Sequence, residues 1–178
     1  MEYDYEYRIY GPFEMKKKGN GLVDSSSAAE DAFWEEVEVE EESLPEACGC
    51  YLFAVRAAKG ITPWYVGLAE KQAFENECFA MHKVNIYNNA LAKKKGTPIL
   101  FLIAKRTGTG RFARPGKNGH RDIDYLETIL IGAAIDKNPD LSNRRKTKYL
   151  REMCVPGFIN SPQRRPTRSE SEFMRTIE

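Results

Sequence analysis

Two short apolar runs on either side of a glycine- and proline-containing turn constrain the fold of this chain most. Residues 52–55 and 64–68 have the composition of buried strands, and residues 59–63 have the composition of a turn. This pattern predicts a short antiparallel hairpin. Each strand also has a tyrosine next to or near a glycine, so Tyr51 and Tyr65 are predicted to be presented from neighbouring strands.

The segments that follow the hairpin define the rest of the predicted core. Residues 69–95 predict one long helix, residues 97–104 a central buried strand, and residues 122–136 a second helix. The order is therefore β-β-α-β-α. It indicates an α/β chain in the α+β sense, with a small, mainly antiparallel central sheet flanked by helices.

Two tripeptides and three single residues stand at defined places in this order: residues 49–51, residues 65–67, His82 on the first predicted helix, Glu127 on the second and Asn143 shortly after it. Together with the order of the elements, they resemble the GIY-YIG nuclease superfamily. Residues 49–51, Gly-Cys-Tyr, stand where the family has Gly-Ile-Tyr, and residues 65–67, Tyr-Val-Gly, stand where it has Tyr-Ile-Gly. His82, Glu127 and Asn143 stand in the places of a histidine on the family's first helix, a glutamate on its second and an asparagine shortly afterwards.

The resemblance implies a metal-dependent endonuclease that hydrolyses phosphodiester bonds in DNA, with RNA left open as a substrate. It also implies that Tyr51 and Tyr65 lie side by side at the substrate, where one of them orients or deprotonates the attacking water. A tyrosine has an ordinary pKa near ~10, so this role needs a nearby positive charge. The alternative is that both tyrosines only pack in the core. A functional role is favoured more strongly for Tyr51 than for Tyr65.

Glu127 is the predicted metal ligand, and it is also counted among the catalytic residues. It lies at the margin of an apolar helix face, where an unpaired carboxylate is unfavourable. Mg²⁺ or Mn²⁺ would relieve that cost, because one carboxylate plus substrate phosphate is an ordinary Mg²⁺ environment. The alternative is a boundary glutamate paired with Arg or Lys.

The first predicted helix departs from the family pattern, because the arginine that related nucleases usually carry there is missing. Four side chains at spacings of four, three and four residues are predicted to share one face of this helix: Lys71, Glu75, Cys78 and His82. Lys71 is the predicted phosphate cation, with Lys83 or Arg56 as alternatives, although lysine lacks the bidentate fork of arginine. His82 is predicted to act on the phosphate or to hold a tyrosine hydroxyl, with a structural role as the alternative. A second functional hypothesis follows, in which the chain binds nucleic acid but has lost turnover.

Basic residues after the second helix are predicted to contact phosphates without reading bases. The predicted nucleic-acid-binding residues are Asn143, Arg144, Arg145, Lys146 and Lys83. For Asn143 the alternatives are a turn or capping role, and Asn138 competes for the same assignment.

Charge is distributed unevenly along the chain of 178 residues. Residues 1–48 have a net charge of −10 and residues 49–178 a net charge of +11. The acidic segment could lie on the basic core, pair with its rim or bind a separate protein. The last of these is a third hypothesis, a protein-interaction module.

We predict one structural domain with three segments. Residues 1–47 form an acidic extension, residues 48–150 the nuclease-like core and residues 151–178 a basic tail. The resemblance covers about residues 48 to 147.

The extension is predicted to contain a strand or hairpin followed by a helix. Alternating side chains before Gly11-Pro12 predict a strand that ends there, and Ser25 or Ser26 is predicted to cap a helix that runs to Glu38. Residues 107–121, rich in glycine and arginine, predict a flexible basic loop, and residues 169–177 a terminal helix.

Four cysteines, without metal-type or thioredoxin-type spacing, predict reduced thiols. No run is apolar enough for a membrane span or a signal peptide, which predicts a soluble, cytoplasmic protein without a membrane partner.

Overall fold

The computed structural model describes residues 5–58, 60–143, 147–156 and 158–177, without the side chains of residues 149 and 150. The chain forms two compact units, Met1–Asn143 and Arg144–Glu178. The acidic extension therefore belongs to the same unit as the sheet, and the predicted boundary after residue 150 falls inside the second unit.

A four-stranded, fully antiparallel sheet forms the centre of the first unit. Its strands, in chain order, are β1 (Glu6–Glu14), β2 (Gly49–Ala57), β3 (Gly60–Ala69) and β4 (Thr97–Arg106). They are arranged in the order β1-β4-β2-β3, so β1 and β3 are the edge strands. The predicted α+β class and the predicted hairpin are confirmed.

The N-terminal strand is longer than the sequence pattern predicts. Gly11-Pro12 does not end β1, because the ladder with β4 resumes at Phe13 after an irregularity that begins at Tyr10. Proline has no N–H to donate, and an edge strand accommodates it at such a bulge. The predicted break at Gly11-Pro12 is therefore wrong.

The helices, in chain order, are α1 (Ser27–Glu40), α2 (Phe74–Glu77), α3 (Met81–Lys93), α4 (Arg121–Lys137), α5 (Thr147–Glu152) and α6 (Arg168–Ile177). The single long helix predicted for residues 69–95 is wrong. Ala69 still pairs with Gly49 in the sheet, and the chain bends before α2 begins. A second interruption separates α2 from α3 at residues 78–80.

Side chains that alternate along β2 divide the core between the two faces of the sheet. Tyr51 and Phe53 point to the face covered by α1, α2 and α3, where the larger apolar cluster lies. Cys50 points to the opposite face, where it packs against Ile123 of α4. Elements on one face are thereby separated from those on the other by the thickness of the sheet.

The free edge of β3 is lined by residues 138–143, which follow α4. The side-chain amide of Asn138 donates to the carbonyl oxygen of Pro63 at 2.8 Å, and the backbone N–H of Ser142 donates to the carbonyl oxygen of Trp64 at 2.8 Å. This segment continues the hydrogen bonding of the sheet without being a strand.

The acidic extension contacts the basic loop that follows β4. Glu41 lies 3.6 Å from the Arg106 guanidinium, and Glu46 pairs with Arg114. Residues 107–120 form this loop and have neither helix nor strand beyond an isolated bridge, yet Ala113 within the loop is buried. Of the three arrangements considered for the acidic segment, pairing with the basic rim is therefore present.

No helix in the described part of the chain is both long and apolar enough to cross a membrane. No disulfide joins the four cysteines, and those at 48, 50 and 78 are buried.

Candidate functional site: a tyrosine pair beside a buried lysine

The hairpin brings Tyr51 and Tyr65 together on one face of the sheet. Tyr51 lies opposite Gly67 and Phe53 lies opposite Tyr65, and residues directly opposite in a ladder share a face. The two tyrosine ring centroids are 6.1 Å apart, with an interplanar angle of 51°. The predicted side-by-side arrangement of the tyrosines is confirmed.

Gly67 makes this arrangement possible. A Cβ at residue 67 would lie 2.2 Å from Cζ of Tyr51 and 2.4 Å from its hydroxyl oxygen. The ring of Tyr51 thus occupies the space that any larger side chain at residue 67 would need. Gly67 of the second tripeptide is therefore required because the ring of Tyr51, from the first tripeptide, packs against it.

Lys83 of α3 is the cation at the tyrosine pair. Its Nζ donates to the hydroxyl of Tyr65 at 2.8 Å, lies 3.0 Å from Oε1 of Glu77, and lies 5.8 and 5.1 Å from the ring centroids of Tyr51 and Tyr65. Burial acts to lower the pKa of Lys83, but the interactions with Tyr65 and Glu77 outweigh it and raise that pKa. The buried lysine is therefore held as an ammonium.

Tyr51 is enclosed, whereas Tyr65 is partly exposed. Burial raises the pKa of Tyr51 well above its ordinary value, and nearby Tyr87 and Cys78 raise it further. The Tyr51 hydroxyl interacts with Tyr87 but makes no hydrogen bond of standard geometry within the described residues. The structure therefore buries Tyr51 and leaves Tyr65 as the accessible member of the pair, and the catalytic role expected for Tyr51 stays a prediction.

The predicted helix face around His82 does not form. Lys71 is exposed in the bend before α2, Glu75 is exposed on α2, and Cys78 is buried where α2 ends. His82 is exposed in the first turn of α3. Neither Lys71 nor His82 is brought to the tyrosine pair, and Lys83, an alternative in the sequence analysis, is there instead.

Glu77 is the carboxylate that sequence reasoning missed. It sits six residues before Lys83, a separation that no regular helix brings onto one face. The interruption between α2 and α3 brings the two side chains together. Only the position of that interruption could have revealed the pair.

Glu127 lies on α4, which packs against the face of the sheet opposite the tyrosines. Its side chain is half-buried.

Within the described ranges, no group of three or more His, Cys, Asp or Glu side chains could hold a metal ion. The carboxylate beside the tyrosines, Glu77, is ion-paired with Lys83. A Mg²⁺ or Mn²⁺ ion bound by Glu127 would therefore lie on the other face of the sheet and would not share a site with the tyrosines. Metal binding by Glu127 elsewhere stays a prediction.

Asn143 has a structural role at the edge of the sheet. Its buried side-chain amide accepts a hydrogen bond from the Val66 N–H at 2.9 Å and donates to the Val66 carbonyl at 2.8 Å. The amide thus pairs with the edge strand, which is neither a helix cap nor a turn, and phosphate contact by Asn143 stays a prediction. Arg144, Arg145 and Lys146 lie outside the described residues.

A second polar cluster lies on the α4 face. The hydroxyl of Tyr7 and the ammonium of Lys105 both donate to the Asp122 carboxylate, and Lys105 also lies 3.3 Å from Nδ1 of His120. Burial acts to raise the pKa of Asp122, but the hydrogen bonds from Lys105 and Tyr7 outweigh it and lower that pKa. The cluster anchors the start of α4 to the sheet.

Comparisons with models of protein families, with curated proteins and with solved structures find no match to this chain. The resemblance to the GIY-YIG superfamily therefore rests on the motif residues and on the order of the elements.

Proposed function

We propose that this chain is a GIY-YIG-like phosphodiester hydrolase acting on DNA, with Tyr65 and Lys83 at its centre. One observation carries the proposal: the Lys83 ammonium donates to the Tyr65 hydroxyl at 2.8 Å. That contact supplies the positive charge that a tyrosine needs to work as a base, in a chain where the usual arginine is missing.

The proposed chemistry uses these two side chains in different ways. The Lys83 ammonium, which donates to the Tyr65 hydroxyl at 2.8 Å, is the positive charge beside the proposed base. Tyr65, after its phenol proton has passed to solvent, would accept a proton from water as the water oxygen bonds to phosphorus. The bond from phosphorus to the leaving oxygen breaks in the same step, and that oxygen takes up a proton from solvent. Lys83 would also offer a point charge to the nonbridging oxygens. For Lys83 to reach a phosphate, its ion pair with Glu77 must open.

A second candidate is a protein of the same fold that binds nucleic acid without cleaving it. Two observations favour it: Tyr51 is completely buried, and Glu77 neutralises Lys83. In this version the tyrosine pair is a packing element, and basic residues elsewhere provide phosphate contacts.

Cleavage assays with matched variants test the first candidate. Supercoiled DNA, linear duplex, single-stranded DNA and RNA are incubated with Mg²⁺, Mn²⁺ or a chelator. Tyr65→Phe is expected to reduce cleavage by about 10²-fold or more with DNA affinity retained, because it removes only the proton-accepting oxygen. Lys83→Met should reduce both cleavage and affinity. The controls Tyr125→Phe and Lys95→Met alter exposed residues on or near helices and should leave both unchanged.

The outcomes separate the candidates. Activity that is unchanged in folded Tyr65→Phe would reject the proposed base. Glu127→Gln tests the metal-binding role that the resemblance implies for Glu127. If this variant folds and binds DNA normally but loses metal-dependent cleavage, Glu127 acts at the reacting phosphate. Salt-dependent DNA retention without any cleavage would favour the second candidate. Neither cleavage nor retention would reject both and leave the protein-interaction hypothesis.

A further inference from the structure

We infer that a groove beside α1 docks an Arg- and Lys-rich peptide segment of a partner protein. The groove has a volume of about 710 Å³ and lies between α1, the segment after it and α2. Its lining residues are Asp31, Trp34, Glu35, Glu38, Val39, Pro45, Glu46 and Glu75. This inference is independent of the proposed hydrolase activity.

The apolar side chains of Trp34 and Val39 form the floor of the groove. Trp34 is half-buried, with its ring centroid 5.0 Å from Phe33 and 6.0 Å from Phe79, both in edge-on contacts. Val39 is 89% exposed although it lies within a helix. An exposed valine beside a fixed indole forms a surface that a partner's apolar side chain and a guanidinium can both use.

The rim of the groove carries negative charge. Five of its lining residues are Asp or Glu, and no Lys or Arg lines it within the described residues. Glu46 pairs with Arg114, and Glu38 accepts the backbone N–H of Ser43, while Asp31, Glu35 and Glu75 complete the set. Charge complementarity therefore selects a basic occupant.

The pair Asp31 and Glu35 and the acidic last turn oppose the stability of α1, although Glu38 also accepts the Ser43 N–H. Asp31 and Glu35 are four residues apart, where like charges repel. The last turn of α1 contains Glu38 and Glu40 and no basic residue, although the C-terminal end of a helix favours cations. Helix stability does not account for this arrangement, whereas a cationic partner would.

The probe is a labelled peptide in which arginine and leucine alternate. Binding is measured by the fluorescence anisotropy of the label and by tryptophan emission in a Trp64→Phe background, where Trp34 is the tryptophan that remains. Two control peptides carry glutamate in place of arginine or serine in place of leucine. The Arg-Leu peptide should bind most tightly, because it alone satisfies both the rim and the floor. Binding should weaken with salt.

Two double variants with the same charge change make the test specific. Asp31→Asn/Glu35→Gln alters the rim, and Glu36→Gln/Glu40→Gln alters exposed residues of the same helix outside the groove. The rim variant should weaken binding about fivefold or more, and the control by less than about twofold. The rim variant should also be at least as stable as the wild type in urea unfolding.

Three results would overturn the inference. Equal weakening by both double variants would show that only overall charge matters. No binding of the Arg-Leu peptide would remove the partner class. Self-association of the chain through this face, seen by sedimentation and lost in the rim variant, would make a second copy the occupant instead.

Discussion

Replacing Gly67 with alanine tests the packing of the tyrosine pair directly. The added Cβ would lie 2.2 Å from Cζ, 2.4 Å from the hydroxyl oxygen and 2.7 Å from Cε1 of Tyr51, whereas ordinary contacts begin near 3.4 Å. The added Cβ would overlap three atoms of one rigid ring, by about 1.2 Å at Cζ, about 1.0 Å at the hydroxyl oxygen and about 0.7 Å at Cε1. Tyr51 is completely buried, so the ring has no open space into which it can move.

The expected loss of folding stability follows from that overlap. Overpacking a well-packed core costs about 1–3 kcal/mol, and we expect the upper end because backbone or ring must shift. For a chain of this size that corresponds to a fall in melting temperature of roughly 6–12 °C. Urea unfolding followed by tryptophan fluorescence gives the free energy, and a thermal melt by circular dichroism gives the temperature.

Gly108→Ala is the matched control. It makes the same chemical change where a Cβ would meet nothing within 4 Å, so it should change stability by less than about 0.5 kcal/mol. A double-mutant cycle adds a second check, because Tyr51→Leu removes the ring atoms that Gly67→Ala would strike. The two changes should be coupled by about 1 kcal/mol or more. If Gly67→Ala is as mild as Gly108→Ala, the ring does not lie over residue 67 and the description of the site is wrong.

Two further predictions concern the edge of the sheet and the α4 face. Asn143→Ala should destabilise the first unit by about 2–3 kcal/mol, because it leaves two backbone groups of Val66 unpaired; hydrogen exchange at the Val66 amide should accelerate, and unchanged exchange would contradict the assignment. Asp122 has a lowered pKa in the folded chain, so its ionised side chain adds to the free energy of unfolding. This added stability is fully present above the unfolded pKa of ~3.9 and is lost as pH falls through the lower folded pKa. Asp122→Asn should therefore flatten the acid side of the curve of unfolding free energy against pH, and a variant that keeps the wild-type slope would show that Asp122 is not responsible.

The sheet was predictable because its signals are local. The apolar runs of β2, β3 and β4 are long enough to identify a buried hairpin and a central strand, and antiparallel neighbours need only a short turn. The helix after β3 was not predictable in the same way. Periodicity does not reveal that Ala69 is still held by a ladder with Gly49, since that contact depends on the partner strand.

The identity of the cation at the site depends on helix phase. Successive residues of a helix differ by about 100° around its axis, so His82 and Lys83 point in clearly different directions. A helix phase that continues from Lys71 predicts His82 on the functional face, but the interruption at residues 78–80 resets that phase. That interruption turns Lys83, and not His82, toward Tyr65.

Both free edges of the sheet carry devices that discourage pairing between molecules. On β1, Pro12 and the irregularity between Tyr10 and Phe13 spoil the regular spacing that a foreign strand would need. On β3, residues 138–143 occupy the hydrogen-bonding groups themselves. A fragment that ends before residue 138 would present β3 as an unpaired template, so aggregation through strand addition is the expected behaviour of such a fragment even if its core is intact.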